Sequence, residues 1–337
     1  MTTAELRIDA VDPADEAGLR QWFDLLRLAQ DHDLPDDPPL TWIDVGARLQ
    51  PRGGKTVELW LARHGEEAVG AVVIFLPTLD NLDNATVDVV VAPQHRRRRV
   101  GTRLLEHVGA AARDRGRSLL FLEAQQPLDG PSPATLFLEA AGARLALADT
   151  RRALDLTALD QPELDRLLAD ARDRAVGYRL VQWVGATPQP RLDDMARLAG
   201  RMSTDAPLDD LQLEPEVWDA ERLLGRERAL AARGLYSIVT AVADEHDALV
   251  GYTVVLGFTG VGWFGQQSDT IVLTENRGHR LGMLLKLANL AFARARNPEL
   301  RVIHTYNADS NAHMVGINEA MGFRPLDRLG EWELDLV

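Results

Sequence analysis

The segment RRRRVG, Arg96–Gly101, returns 181 residues later as RGHRLG, Arg277–Gly282. Two further pairs of landmarks repeat with it: DLPDD at Asp33–Asp37 beside DAPLDD at Asp205–Asp210, and Trp42 beside Trp218, at offsets of 172 and 176 residues. Offsets that drift slowly are what small insertions leave behind in a duplicated chain, whereas coincidence would scatter them. The chain therefore has to fold as two copies of one unit, and 337 residues is the length of two ordinary domains.

Apolar periodicity supports the same reading. The first half predicts a strand at Glu5–Asp9, a helix at Asp15–Gln30, a short helix at Thr41–Leu49, and strands at Val57–Arg63, Ala68–Leu76 and Thr86–Val91. A helix over Thr102–Arg115, a strand over Ser118–Ala124, a helix near Ser132–Ala141 and closing strands through Leu156 follow. Leu164, Leu167, Leu168 and Ala171 fall at helical spacing in Gln161–Arg174, which reads as a connecting helix. The second half repeats the order: strand Tyr178–Val184, helices Arg191–Met202 and Glu216–Arg233, strands Leu235–Ala243, Leu249–Phe258 and Gln267–Leu273. Helix Met283–Arg296, strand Arg301–Asn307, helix Asn311–Met321 and a GFRP segment close it. The expected division is 1–156, a connecting helix in 157–176, and 177–337. Each domain is expected to be α/β of the α+β type, with a mixed, mostly antiparallel sheet flanked by helices.

Composition narrows the function. A formal charge of −14 repels phosphate backbones and anionic membranes, so neither nucleic acid nor membrane is an expected partner. The absence of cysteine removes disulfides, thiolate metal sites and thiol nucleophiles; no metal site is expected. The acidic start MTTAELRIDAVDPADE has no signal-peptide character, and the residence expected is cytoplasmic. Only Lys55 and Lys286 are lysines among 37 Lys and Arg, an excess read as coding bias.

Each half carries an apolar strand, a turn rich in Arg and Gly, and the first turn of a long helix. This arrangement gathers backbone N–H groups and the positive end of a helix dipole at one spot, where a pyrophosphate would sit. No GxxxxGK[ST] is present, so this is not a P-loop. The residues Arg277, Gly278, His279, Arg280, Leu281, Gly282 and Met283 resemble the Q/R-x-x-G-x-G/A loop of the GNAT N-acetyltransferase superfamily, and so do Arg96, Arg97, Arg98, Arg99, Val100, Gly101 and Thr102. Both copies keep the leading Arg and last Gly and replace the middle Gly, by Arg280 and Arg99, whose guanidinium could reach a phosphate. Asn307–Pro325 resembles the superfamily's N-x-x-A-...-G-F closing segment.

The resemblance covers nearly the whole chain as two tandem domains, a layout shared with mycothiol synthase that does not itself carry a substrate. It implies acetyl-CoA as acyl donor, bound by the second loop and weakly or not at all by the first, and transfer of acetyl to an amine by direct attack. It also implies that Thr270, Ile271 and Val272, and in the first half Val89, Val90 and Val91, lie along the pantetheine arm. Asn311 matches the family's asparagine. The family's tyrosine acid is replaced by Asn318 and Leu138, with His304 and Tyr306 as other possible donors. Asp269 and Asp88 precede the two loops by one interval and are candidate bases, or carboxylates paired with a neighbouring Arg. The acidic loops, Asp205, Asp209 and Asp210 in the second half, are where the family builds its acceptor site; a small polar or cationic amine is the expected acceptor. A non-catalytic acyl-CoA-binding module is the competing reading, motivated by the missing tyrosine. A transferase using charged tRNA is disfavoured by the net charge.

Overall fold

The computed structural model describes residues 5–50, 54–212 and 214–336, except 206–208, and the side chains of 203–205 are outside the description. The chain forms two compact units. The first takes the chain up to Ala124, Ser132–Ala146 and the chain from Gly330 onward; the second takes Gln125–Pro131 and Leu147–Leu329. This differs from the linear division expected above: the helix at 161–174 packs within the second unit, and the last strand ends in the first.

In the first unit the elements are β1 (Leu6–Val11), α1 (Glu16–Asp33), α2 (Trp42–Arg48), β2 (Lys55–His64), β3 (Glu67–Pro77), β4 (Asn84–Val91), α3 (Val100–Asp114), β5 (Leu119–Gln126), α4 (Pro133–Ala140) and the start of β6 (Arg144–Asp155). Strands β1 to β4 are antiparallel neighbours in that order, and β5 joins β4 in parallel. The continuous apolar run of β3 is explained by burial on both faces. Val72, Ile74 and Leu76 pack with Leu104 and Val108 of α3, while Ala71, Val73 and Phe75 pack with Trp22 and Leu25 of α1. Fully burying a leucine such as Leu104 contributes roughly 1.5–3 kcal/mol.

The second unit continues with α5 (Gln161–Arg174), β7 (Arg179–Val184), α6 (Leu192–Asp205), α7 (Ala220–Ala232), β8 (Leu235–Ala243), β9 (Leu249–Phe258), β10 (Phe264–Val272), α8 (Leu281–Arg296), β11 (Val302–Ala308), α9 (Ala312–Met321) and β12 (Arg324–Asp335), whose last residues belong to the first unit. Its strand order is β6-β11-β10-β9-β8-β7, parallel only between β10 and β11. Trp218 and its neighbours, expected to lie in a helix opening at Glu216, precede it; α7 starts at Ala220 because Asp219 caps it, accepting from Arg222 N. The closing segment after Met321 is a twelve-residue strand that the GFRP motif alone did not announce. No helix among the described residues is long and apolar enough to cross a membrane.

A forked cleft in the second unit

The parallel pairing of β10 with β11 covers only four rungs, Phe264↔Val302 to Gln267↔Thr305. Beyond them the strands part, and Ser268–Val272 and Tyr306–Ala308 become the walls of a cavity of about 1430 Å³. Arg277, Gly278 and Arg280–Met283 line its anion-attracting end, and Asn311, Met314 and Ile317 of the α9 region close it. That volume exceeds a drug-sized pocket of about 300–1,000 Å³ and suits a long ligand together with a second, small one.

At the fork, β10 is bulged. Val255 opposes Gln267 and Thr253 opposes Thr270, so Ser268 and Asp269 together stand across from Val254. The Val254 carbonyl takes its hydrogen bond from Gln267 Nε2 at 2.7 Å, which keeps it satisfied without a strand N–H. An extra residue in a bulge departs from the regular ladder, and here that departure falls on the cavity wall. Strand β4 has no such bulge: its register with β3 runs unbroken from Phe75↔Thr86 to Gly70↔Val91, through Val89 and Val90.

The basic turn has one backbone shape in both units. Gly278 and Arg280 have φ of 92° and 55°, and their repeat partners Arg97 and Arg99 have 60° and 64°. The residue that replaces the middle glycine is thus left-handed both times, at a cost of roughly 1–2 kcal/mol for a side chain with a Cβ. Arg280 gives α8 no side-chain cap, and the first helical bond is Leu284 N to Arg280 O at 3.0 Å. The N–H groups of Leu281, Gly282 and Met283 are therefore left outside the helix ladder at the positive end of the dipole. The Arg280 guanidinium, expected to reach a phosphate, instead stands 2.5 Å from Asp170 of α5 as a charge contact. Arg99 has no carboxylate partner among the described residues. Arg99→Gly should accordingly stabilise the protein by roughly 0.5–1 kcal/mol in denaturant unfolding, while Arg280→Gly, which forfeits the Asp170 contact, should be nearly neutral.

The leading arginines are anchors. Nε of Arg277 donates to Val272 O at 3.2 Å, and Nε of Arg96 to Val91 O at 3.1 Å. Arg96 also grips both carboxylate oxygens of Asp33 at 2.7 Å. Burial would raise the Asp33 pKa, but Arg96 and His32 outweigh it and hold it below the usual value. One member of the first acidic loop is thus committed to the fold.

Asp269 is in the cavity wall, and its carboxylate is engaged. Oδ2 accepts from Arg226 Nη2 at 2.6 Å and from the Tyr252 hydroxyl at 3.2 Å, and Ser268 Oγ donates to Oδ1 at 3.3 Å. Burial opposes charge on Arg226, yet Asp269 prevails and its pKa is raised. In the first unit Asp88 likewise pairs with Arg48 at 2.7 Å. The structure therefore presents the arginine-paired form of both carboxylates. Thr270 is bonded to Thr253 at 2.7 Å, side chain to side chain, and Ile271 and Val272 follow along the wall. Asn311 caps α9, accepting from Met314 N at 3.2 Å. Asn318 is fully buried and donates to Asn307 at 2.5 Å. Tyr306 lines the cavity; His304 does not, and packs edge-on against Phe264. Asp209 and Asp210 are exposed and not among the residues lining the cavity; the Asp205 side chain lies outside the described residues. His279 stacks near Tyr178, ring centroids 5.4 Å apart, and does not line the cavity.

One lining residue carried no functional weight in the sequence. Lys286, on α8, is 1% exposed, and its Nζ lies 5.6 Å from the centre of the Phe323 ring. Burial pushes its pKa down to about 7. Its repeat partner is Leu105, a core residue of α3. A polar residue where the duplicate has leucine was the signal available.

The second unit thus joins a splayed parallel strand pair to an uncapped helix N-terminus, an arrangement able to receive an extended anionic ligand. Comparison with known proteins supplies the family. The model of the acetyltransferase (GNAT) family matches residues 19–132, in the first half of the chain. The structure of a tandem GNAT protein from the clavulanic acid biosynthesis pathway, solved without AcCoA, is 30% identical, with 99% of each chain covered and a TM-score of 0.81. A GCN5-related N-acetyltransferase from Sphaerobacter thermophilus is 15% identical over 98% of this chain and 96% of its own, TM-score 0.68, a likeness of fold. No curated protein matches the chain in sequence. The chain belongs to the GNAT acetyltransferase family, as a tandem-domain member.

Proposed function

We propose that the second unit transfers the acetyl group of acetyl-CoA to the amine of a small polar or cationic molecule by direct attack on the thioester. The observation that carries this reading is the coincidence, in one cleft, of the β10 bulge with the uncapped start of α8. The N–H groups of Leu281, Gly282 and Met283 would hold the pyrophosphate, and Thr270, Ile271 and Val272 would flank the pantetheine arm. A bulge N–H in Ser268–Asp269 would receive the negative charge that develops on the thioester oxygen, the interaction that contributes most to acyl transfer in such sites. With no cysteine in the chain, no thiol-bound acyl intermediate is formed. Asp269, paired as it is, acts here as a positioning residue that fixes Arg226 and Tyr252 beside the bulge; the amine proton leaves to water. The unbulged β4 supports the reading that the first unit lacks this donor and binds acetyl-CoA weakly or not at all.

The acidic stretch after α6 would act on the acceptor at long range. An exposed ammonium–carboxylate contact is worth about 0.2–1 kcal/mol, so Asp209→Asn or Asp210→Asn should raise acceptor KM no more than a few-fold and leave kcat in place. Thiol release from acetyl-CoA across a panel of small amines tests the reading. Amine-dependent release that disappears when the cleft is blocked supports it. Tight acetyl-CoA binding with no release for any amine favours the second reading, a non-catalytic acyl-CoA-binding module, for which Asn318 in place of a phenol is the motivating observation.

A further inference from the structure

An amine buried in the wall of the cleft, with no carboxylate partner among the described residues, calls for one that arrives with the ligand. Lys286 sits on the second turn of α8 and lines the same cavity as the bulge residues Ser268 and Asp269 and the last paired residue of the fork, Thr305. The acids near it are spoken for: Asp269 on β10 by Arg226, and Asp170 on α5 by Arg280. Tyr252 on β9 gives its hydroxyl to Asp269. Strands β7 and β8 meet α8 through Gln182 and Thr240, which bond to Ala288 O and to Asn289. Asp149 of β6, Tyr306 of β11, His313 of the α9 turn and the cationic Arg277 before α8 are the other titratable or charged groups of the cavity wall. Among the described residues none of these pairs with Lys286, whose Nζ stands over the Phe323 ring face.

We propose that Lys286 is the general acid of the transfer, protonating the coenzyme A sulfur as the thioester breaks. This rests on the acetyl-CoA reading above and supplies what Asn318 and Asn311 cannot, since a side-chain amide has no proton to give to a thiolate. In the step, the amine nitrogen forms a bond to the acyl carbon and the C–S bond breaks with its electron pair going to sulfur. Sulfur takes a proton from Lys286 Nζ, and the proton lost by the attacking amine passes to water, from which Lys286 is recharged. The products are the N-acetyl amine and neutral coenzyme A. Lysine suits this task and arginine does not. A buried ammonium is brought to about pH 7, where it can both hold and release a proton, while a guanidinium stays charged. That a chain with only two lysines among 37 basic residues keeps one of them at this buried position fits a demand for a dissociable cation.

The two-lysine composition makes the test direct. Labelling lysine at Cε with carbon-13 gives two signals, and Lys55→Arg identifies that of Lys286. The ligand-free titration midpoint should lie near pH 7. Free coenzyme A should raise it by about one pH unit or more, and the bound thiol, followed by thiolate absorbance, should ionise lower by the same amount because the coupling is reciprocal. Desulfo-coenzyme A, which binds through the same pyrophosphate, should leave the midpoint where it was. In Lys286→Met the bound thiol should return to the ionisation of free coenzyme A. Coenzyme A that binds while the Lys286 midpoint is equal with and without sulfur overturns the assignment and leaves the acetyl-CoA reading intact. Coenzyme A that does not bind overturns both.

Discussion

Lys286→Met should make the protein more stable, by about 2–4 kcal/mol near neutral pH, because it removes an amine that burial forces toward neutrality. The sign of the pH dependence follows from the lowered pKa. Between about 7 and the ordinary 10.5 the unfolded chain binds the proton and the folded chain does not, so wild-type stability rises with pH across that window, by up to about 1.4 kcal/mol per unit. The variant should lack this rise. Denaturant midpoints of the two proteins at about pH 7 and about pH 9 measure it: converging curves are expected, and a constant gap would show that Lys286 is not a buried, proton-poor amine. Stability spent at this position, where the duplicate carries Leu105, is the mark of a residue kept for chemistry.

Deleting Ser268 should lower kcat by roughly 10²–10³ with acetyl-CoA affinity kept within a few-fold, the cost of one donor to a developing oxyanion. The deletion is specific because of the register. With Ser268 gone, Gln267, Asp269 and Thr270 fall opposite Val255, Val254 and Thr253 in unbroken order, and both flanks keep the partners they have now. The bulge disappears and the fork and helix start remain. Turnover equal to wild type would mean that the bulge has no part in the transfer.

The repeated landmarks made the tandem architecture legible, and the period of apolar residues gave α5, β8 and β9 their observed limits. The exchange of strand ends between the units was hidden, since it depends on where β6 and β12 lie in space, and no local pattern records that. The bulge was equally hidden: Gln267, Ser268 and Asp269 read as an ordinary strand until the partner positions on β9 are known. Asp269 shows the limit from the other side. Its repeat with Asp88 was visible, but only the arrival of Arg226 from α7 and Arg48 from α2 distinguishes a paired carboxylate from a free base. The left-handed turn at Arg99 and Arg280 was masked because the sequence lacks the glycine that usually announces it.

The central claim, that acyl-CoA is held by the turn at the start of α8, is tested most directly by calorimetric titration of acetyl-CoA into the wild type, Gly282→Glu and Gly101→Glu. A Cβ at Gly282 would meet Ile317 Cδ1 at 3.2 Å, and the added carboxylate would stand at the helix start proposed for the pyrophosphate; at Gly101 the nearest atom is Phe137, at 3.5 Å. The account predicts that Gly282→Glu abolishes the main binding event and Gly101→Glu leaves it in place. Loss of binding with Gly101→Glu and retention with Gly282→Glu would contradict it.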